Sequence, residues 1–459
     1  MSGTNWGPRA RHLLLVTSVS EVIIVGAGAA GLAAAQALTA ADRQVTMLEA
    51  RDRIGGRIFT HPDSTPEAAI ELGAEFVHGR APEIFNLGAK SGLEFQELRG
   101  SFWYTQGGRL CRDQFPSERS RVFERMEKYR GPDLSFRRFL DEYCADIAAQ
   151  EKLWATAYVE GFHAANAELI SLRSIVEDEK AEEEIEGNRQ FRLAHGYGGL
   201  VEALHRAIDP ALCDWHLGER VRAVRWRAGR VEIESVRAQS DAVSVHRGKC
   251  ALITLPLSVL QLRPPSPGAV RFVPGLEMKQ PALSRLAMGA AVHLTLVFGE
   301  AFWRDAALPG APRGLADMLF LFSDHPAFPT WWSKLPSPAP VLTAWSAGPQ
   351  ALQYCGQSQA AVVEKATSAL AAILGMNTSE VAGRVEKAYF HDWQADPLSR
   401  GAYSYVVAGG MEAQRELAAP LSGTLFFAGE ATDFHGHHAT VHGAMSSGYR
   451  AAAEILNAT

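Results

Sequence analysis

The chain has 459 residues, 47% hydrophobic and 21% charged, with a formal net charge of −6. That length predicts two domains of ordinary soluble-enzyme proportions, and the mild acidity leaves no electrostatic footprint for a nucleic-acid partner. The five cysteines (Cys111, Cys144, Cys213, Cys250 and Cys355) are an odd number without C-x-x-C spacing, which argues against a zinc ribbon or a disulfide framework and fits a reducing cytoplasm.

Residues 1–19 read as a loose leader. Their apolar run Leu13–Val16 is too short to span a membrane, and no small-residue cleavage pattern follows it, so neither an anchor nor a membrane partner is expected. Directly after it, "EVIIVGAGAAGLAAAQALTAADRQVTMLEARDRIGGR" puts a buried strand, Val22–Val25, before Gly26, Gly28 and Gly31, with Ala30 among them and a helix over Leu32–Ala40. Strand, G-x-G-x-x-G and helix in that order predict a dinucleotide site. The glycines permit the tight turn and a close backbone approach, and the helix N-terminus offers free N–H groups to a pyrophosphate. A second strand, Val45–Leu48, ends at Glu49, where a carboxylate accepts hydrogen bonds from a ribose and disfavours a 2′-phosphate. Beyond it Arg51, the pair Gly55–Gly56 and Arg57 bring two guanidinium groups and more backbone amides to the same phosphates.

The "EARDRIGGR" run resembles that of the two-dinucleotide-binding-motif flavoproteins, in which the cofactor is FAD. The far end, "GTLFFAGEATDFHGHHATVHGAMSSGYRAAAEIL", is similar to the closing segment of the flavin-containing amine oxidase family, which includes monoamine oxidases, polyamine oxidases and lysine-specific histone demethylases, with polyamine oxidases closest in motif. That resemblance puts Glu430 near the ribityl-pyrophosphate and Thr440 and Val441 at a helix start beside the flavin. "ELGAEFVHG" resembles the "GA-x-W-I-H-G" stretch of polyamine oxidases, which implies Ala74, Glu75 and Phe76 against the flavin and His78 on the substrate side, with Phe76 in place of tryptophan. "HGYGGLVEAL" resembles the segment re-entering the FAD domain, and "LGERVRAVRW" places Val221 where the family's valine contacts adenine. "VRAVRW", "VEIESV" and "AVSVH" read as a strand meander and "CALITLPLSVL" as a separate returning strand. "WQADPLSRGAYSYVVAG" resembles the substrate-side wall, and the resemblance implies an aromatic box from Tyr403 and Trp393. Thr440 stands where monoamine oxidases carry a second cage tyrosine, so the box is half open. Ala402 occupies the place of the flavin-linking cysteine of covalent members, which implies noncovalent FAD. The resemblance covers nearly the whole chain from about residue 20; 100–190 shows generic helical patterning alone.

"MGAAVHLTLVFGEAFW" reads as a strand running into a turn, with Val292, Leu294, Leu296 and Phe298 on one face and His293 on the other. By resemblance His293 falls on the family's lysine, which holds a water at flavin N5. Either the ring faces the flavin or it packs in the strand with one hydrogen bond, and the exchange puts fast oxidase turnover in doubt. The acidic run Glu177–Gly187 is either a solvated face or a draw for polycations at a funnel mouth; Trp331 and Trp332 are either core or pocket wall. The histidines His435, His437, His438 and His442 lack a cysteine to complete a tetrahedral set, and no metal is expected.

The resemblance implies a mixed α/β fold with a Rossmann-like FAD-binding domain from 20–90, 191–270 and 390–459, and a discontinuous substrate domain from 91–190, mostly helical, and 271–389. The expected reaction moves a hydride from the carbon beside an amine nitrogen to flavin N5. The resulting imine is hydrolysed to an aldehyde, and molecular oxygen becomes hydrogen peroxide. Two alternatives stand: a flavin-dependent dehydrogenase or desaturase acting on a non-amine, and a weakly active flavoprotein kept for binding.

Overall fold

Five short parallel strands carry the first sheet, in the order Leu425–Phe427, the C-terminal part of Val243–Ile253, Leu15–Val25, Val45–Leu48 and Cys213–His216. The computed structural model describes residues 15–65, 68–106, 108–112, 120–237, 240 and 242–458. Strands buried on both faces read as continuous apolar runs, and Val22–Val25 and Leu425–Phe427 are almost fully buried. Helices Ala29–Thr39 and Val441–Ala458 lie together over one face, packed on alanines and glycines.

The meander is antiparallel as expected, Glu219–Arg227 pairing with Arg230–Arg237 and that with Val243–Gly248. Its third strand and the returning strand are, however, one element, Val243–Ile253. Its first half pairs with the meander and its second half with Leu425–Phe427, so no turn separates them. The leader is corrected in the same way. Residues 1–14 lie outside the described residues, but the first strand already runs from Leu15, matched to Ser244, because its partner strand extends that far.

A second sheet of seven strands runs Val385–Phe390, Ala291–Phe298, Val341–Ala347, Thr330–Ser333, Met318–Phe322, Ser101–Gln106 and Arg109–Arg112. Val292, Leu294, Leu296 and Phe298 enter its core with helix Gln359–Leu374, while His293 takes the opposite face, paired across the sheet with Trp345. Between residues 121 and 184 four helices, Arg121–Lys128, Phe136–Tyr143, Ala149–Phe162 and Leu172–Glu184, close a third core. Ser120, Ser135 and Ser171 cap three of them by accepting from N–H groups two or three residues on, the usual resolution of a helix's orphan donors. The whole is the mixed α/β fold with a Rossmann-like layer that was expected. Among the described residues no helix is long and apolar enough to cross a membrane.

The approach of the first helix to its strand depends on Gly31, where a Cβ would overlap the Gly26 carbonyl oxygen, itself in a left-handed turn at φ 108°. Gly31→Ala is expected to destabilise the protein by about 1–3 kcal/mol through overpacking and to loosen the dinucleotide turn. Denaturant unfolding and the flavin retained on purification measure both effects; unchanged values for both would show that the contact is not required.

Candidate active site

A cavity of about 1200 Å³ runs from Gly26 and Glu49, at the ends of the parallel strands, to Trp345 and Tyr403 on the second sheet's side. Pockets for one drug-sized ligand hold roughly 300–1,000 Å³, so a dinucleotide and a small substrate fit together. The catalytic and cofactor-binding candidates read from the sequence all line it except Gly31, whose part is the packing just described; Trp331 and His435 do not line it.

At the dinucleotide end, helix Ala29–Thr39 begins at Gly28 with no side-chain cap. Its first N–H groups are therefore available at the cavity wall, where an anion is favoured by the helix terminus. Gly56 faces Gly28, its hypothetical Cβ 3.3 Å from the Gly28 Cα, so side chains here would narrow the cradle. Glu49 accepts from Ala27 N and Arg51 N, both at 2.8 Å. Burial raises its carboxyl, and those two amides oppose the rise. The acid is thus fixed in place with oxygen lone pairs left for a ribose. These features fit FAD.

The two arginines expected at the phosphates line the cavity but are partnered within the protein. Arg51 pairs with Asp396 at 2.9 Å and donates to Ser399 Oγ at 3.0 Å. Arg57 donates to Glu430 Oε1 at 2.9 Å and to the Ala402 carbonyl at 2.7 Å. Burial alone would raise the Glu430 carboxyl, but Arg57 and the Ser404 hydroxyl hold it below its ordinary value. Val221 lies on the wall beside Glu219 and Arg220. Thr440 caps the last helix, accepting from Gly443 N at 3.0 Å and donating to the His437 carbonyl at 2.6 Å, with Val441 next along.

The aromatic residues divide between two places. Trp393 is buried, donates to the Leu72 carbonyl at 2.6 Å and packs against His391, ring centres 4.2 Å apart and planes tilted by 59°. Tyr403 donates to the Phe162 carbonyl at 2.7 Å and shares its apolar cluster with Trp345. Phe76 packs against Trp332 and Phe320, centres 5.3 and 5.6 Å away. His78 meets Phe162 edge-on at 5.7 Å, and burial pushes its ring down to about 4, leaving it neutral near pH 7. Trp331 and Trp332 split as strand alternation requires: Trp331 is fully buried core, and Trp332 lines the cavity.

Behind this wall Glu75 collects four donors. Its Oε1 accepts from Lys334 Nζ at 2.7 Å and Arg192 Nε at 2.8 Å; its Oε2 accepts from Trp332 Nε1 at 3.0 Å and lies 3.1 Å from His293 Nε2. Burial alone would push the carboxyl up, but Lys334, Arg192 and then His293 more than offset it and hold it well below the usual range. His293 Nδ1 lies 3.2 Å from the Gly73 carbonyl. Both ring nitrogens therefore face acceptors while the ring itself borders the cavity.

The acidic run forms helix Leu172–Glu184, whose Leu172 and Ile175 enter the helical core. Asp178, Glu179, Glu182 and Glu183, spaced one and four residues apart, turn to the cavity with Glu127 and Glu186. Asp178 pairs with His438 at 3.2 Å; burial would lower that ring, but Asp178 and Glu430 hold it up at about 9. Burial, then Glu127 and Asp178, raise Glu179 to about 7; burial, then Asp178 and Glu179, raise Glu182 to about 7.

Lys334, Arg192, Trp345 and Asp396 were not anticipated from the sequence. Lys334 had a signal, since it stands two residues beyond Trp332 and so on the same strand face. Asp396 and Arg192 had none, because their partners are far along the chain.

Residues 29–141 and 109–456 match the family described as flavin containing amine oxidoreductase. The chain is 28% identical over 466 residues to lysine-specific histone demethylase 1 homolog 2 of Oryza sativa subsp. japonica, covering 96% of this chain and 57% of that protein. It is 28% identical over 472 residues to polyamine oxidase 4 of the same species, covering 95% and 88%. It thus spans little more than half the length of that demethylase. Among solved structures, wild-type putrescine oxidase bound to putrescine superposes with a TM-score of 0.78 at 21% identity, covering 97% of this chain and 100% of that one. Cyclohexylamine oxidase from Brevibacterium oxydans gives 0.76 at 19%, covering 96% and 99%. At such identities these two establish the fold.

Glu75→Gln keeps the volume but leaves Lys334 and Arg192 buried against a neutral amide. Unfolding in denaturant at pH 7 is expected to show a loss of about 3–5 kcal/mol. Because the folded carboxyl is depressed, its contribution is complete above the unfolded value of about 4.3 and is lost as pH falls toward the lower folded value. The gap between wild type and variant should therefore close only in strong acid. A gap below about 1 kcal/mol at pH 7 would refute the assignment.

Proposed function

Since the chain belongs to the family of flavin-containing amine oxidoreductases and its cofactor is FAD, we propose that it oxidises a di- or polyamine at the carbon beside one nitrogen. The products are an imine, hydrolysed to an aldehyde, and hydrogen peroxide from molecular oxygen. The observation that carries this reading is the row Asp178, Glu179, Glu182 and Glu183 facing the same cavity as the dinucleotide cradle. A row of carboxylates binds a chain with charges several ångströms apart better than a single ammonium. Bound FAD supplies the two-electron acceptor.

The chain's own residues do the rest. The uncapped start of helix Ala29–Thr39 and Glu49 hold the dinucleotide, and Ala402 has no thiol to attach it, so binding is noncovalent. Segments 20–90, 191–270 and 390–459 carry the cofactor, and 91–190 and 271–389 the amine. Tyr403, Trp345 and Phe162 strip water from the reacting nitrogen, and desolvation favours its neutral form. The neutral ring of His78 accepts a hydrogen bond from the amine. The five cysteines are free thiols, as a cytoplasmic enzyme requires.

A second reading is favoured by one contact set. His293 has both nitrogens committed to Gly73 and Glu75, and an enzyme so built passes its electrons to an acceptor other than oxygen.

Peroxide release with spermine, spermidine, acetylated polyamines, primary monoamines and aromatic amines tests the proposal. Glu179 and Glu182 ionise as pH rises through about 7, so KM for spermine should fall across that range more steeply than KM for a monoamine. Glu179→Gln/Glu182→Gln should flatten the difference and raise the spermine KM roughly tenfold, the equivalent of about 1.4 kcal/mol. Equal pH profiles for the two amines would sink the polyamine reading; anaerobic flavin bleaching by amines without peroxide in air would favour the second.

His293→Lys is expected to quicken reoxidation of the reduced enzyme by oxygen in stopped flow. An unchanged or slower rate would remove residue 293 from that step.

A further inference from the structure

Away from the amine end, where the chain turns between strands Cys213–His216 and Glu219–Arg227 beside Glu49, the side chains of His216, Glu219 and His246 bring one donor atom each within 4.8 Å of one another. We propose that these three residues bind a divalent transition metal of the zinc type, independently of the amine chemistry. The histidines at 435–442, which first attract attention as ligands, are not part of this group.

The hydrogen bonds around His216 carry the argument. Its Nε2 lies 2.9 Å from Asp214 Oδ2, and since a carboxylate only accepts, that nitrogen donates. On the ring's other side Nδ1 lies 3.6 Å from Glu219 Oε1, and a cation between or beside the two atoms, a proton or a metal ion, satisfies both. Across the group His246 Nε2 lies 3.0 Å from Glu219 Oε2. Ligands at about 2.0–2.1 Å from a tetrahedral zinc stand about 3.3 Å apart; the two spacings, one to each oxygen of Glu219, lie near that edge, and the three donor atoms as a set lie within 4.8 Å of one another. A carboxylate on the far nitrogen of a ligating histidine is the usual device for fixing its tautomer and orientation, and Asp214 supplies it.

The surroundings suit a metal as well as a proton. Burial lowers the His246 ring, favouring its neutral, ligating form, although Glu219 opposes the shift. Burial would raise Glu219, but Ser235 and His246 keep it below its ordinary value, so it remains a carboxylate. Ser235 Oγ donates to Glu219 Oε2 at 2.7 Å and lies 3.1 Å from His246 Nε2, which fixes the carboxylate in place. The competing cation is Arg237, whose Nη2 lies 3.5 Å from Glu219 Oε1, with a side chain half exposed to solvent and free to withdraw. Because Glu219 N donates to the Glu49 carbonyl at 2.9 Å and Gly218 N to that of Arg51 at 2.7 Å, a metal here would clip the meander to the strand end that holds the ribose.

Holoenzyme stripped with chelator and titrated with ZnCl₂ in a calorimeter tests the site. One saturable site per chain is expected, lost in His216→Ala, retained in His437→Ala and weakened about 10–100-fold in Asp214→Asn. The thermal midpoint should rise with zinc in wild type and not in His216→Ala. Bound-flavin absorbance confirms that each variant is folded, and if His216→Ala is not, Asp214→Asn decides alone. No saturable binding, or binding indifferent to His216 and Asp214, overturns the proposal and leaves a proton-bridged network.

Discussion

Glu75 is the point at which the cofactor-binding layer is fastened to the second sheet. It sits on the segment following the dinucleotide turn, and its four donors come from elsewhere: Arg192 from strand Gln190–Leu193, and Trp332, Lys334 and His293 from the seven-stranded sheet or its edge. A buried ion costs several kcal/mol unless charge and hydrogen bonds repay it. Here the donors fill both oxygens, and neither cation is left over, since Arg192 also donates to the carbonyls of Ser333 and Leu335. The arrangement tolerates little relative movement between the two layers, and the cavity lies between them.

This constraint fixes what residue 293 presents. With Nδ1 against the Gly73 carbonyl and Nε2 against the Glu75 carboxylate, the imidazole is held between one backbone and one side-chain acceptor. Neither nitrogen is turned toward the cavity to hold a water. The positive charge that a lysine would bring has a counterpart in Lys334 and Arg192, one layer further back and tied to Glu75. In the terms of the proposed function, the electrostatics of the wall are kept while its hydrogen-bonding face is changed.

How much of this was legible in the sequence depended on distance along the chain. The glycine turn, Glu49 and the first helix lie within some thirty residues, where spacing alone states the geometry; strand, turn and helix follow in the order read, with the helix starting three residues earlier, at Ala29. Strand alternation foretold that His293 opposes Leu294, whereas the parting of Trp331 and Trp332 was left open until the strand Thr330–Ser333 placed them on opposite faces. The meander was read with a break that does not exist, because Gly248 and Lys249 interrupt the apolar pattern without ending the strand. What stayed hidden was long-range pairing. Lys334 is 259 residues from Glu75, and Ser399 is 348 from Arg51; no local pattern encodes a partner that only the fold brings near. The acidic helix lay between these cases. Its charge run was plain, but that Leu172 and Ile175 would turn the carboxylates inward depended on the helical core beneath.

The cavity consequently carries both signs of charge at different residues, with carboxylates from helix Leu172–Glu184 on its lining and the Lys334–Arg192 pair held at Glu75. On the proposed reading this polarity resolves a conflict that any amine-oxidising site faces. Amines arrive as cations, and carboxylates gather them; yet the nitrogen beside the reacting carbon must be neutral to yield its electrons. A chain with several nitrogens can satisfy both demands at once, one ammonium remaining among Glu179, Glu182 and Glu183 while the other passes the rings of Phe162, Trp345 and Tyr403. There the loss of water and the buried cations behind Glu75 both disfavour its proton. A monoamine has no second charge to leave at the mouth and gains only the desolvation. The separation of acid and cation across one cavity therefore selects for the length of the amine as well as its charge.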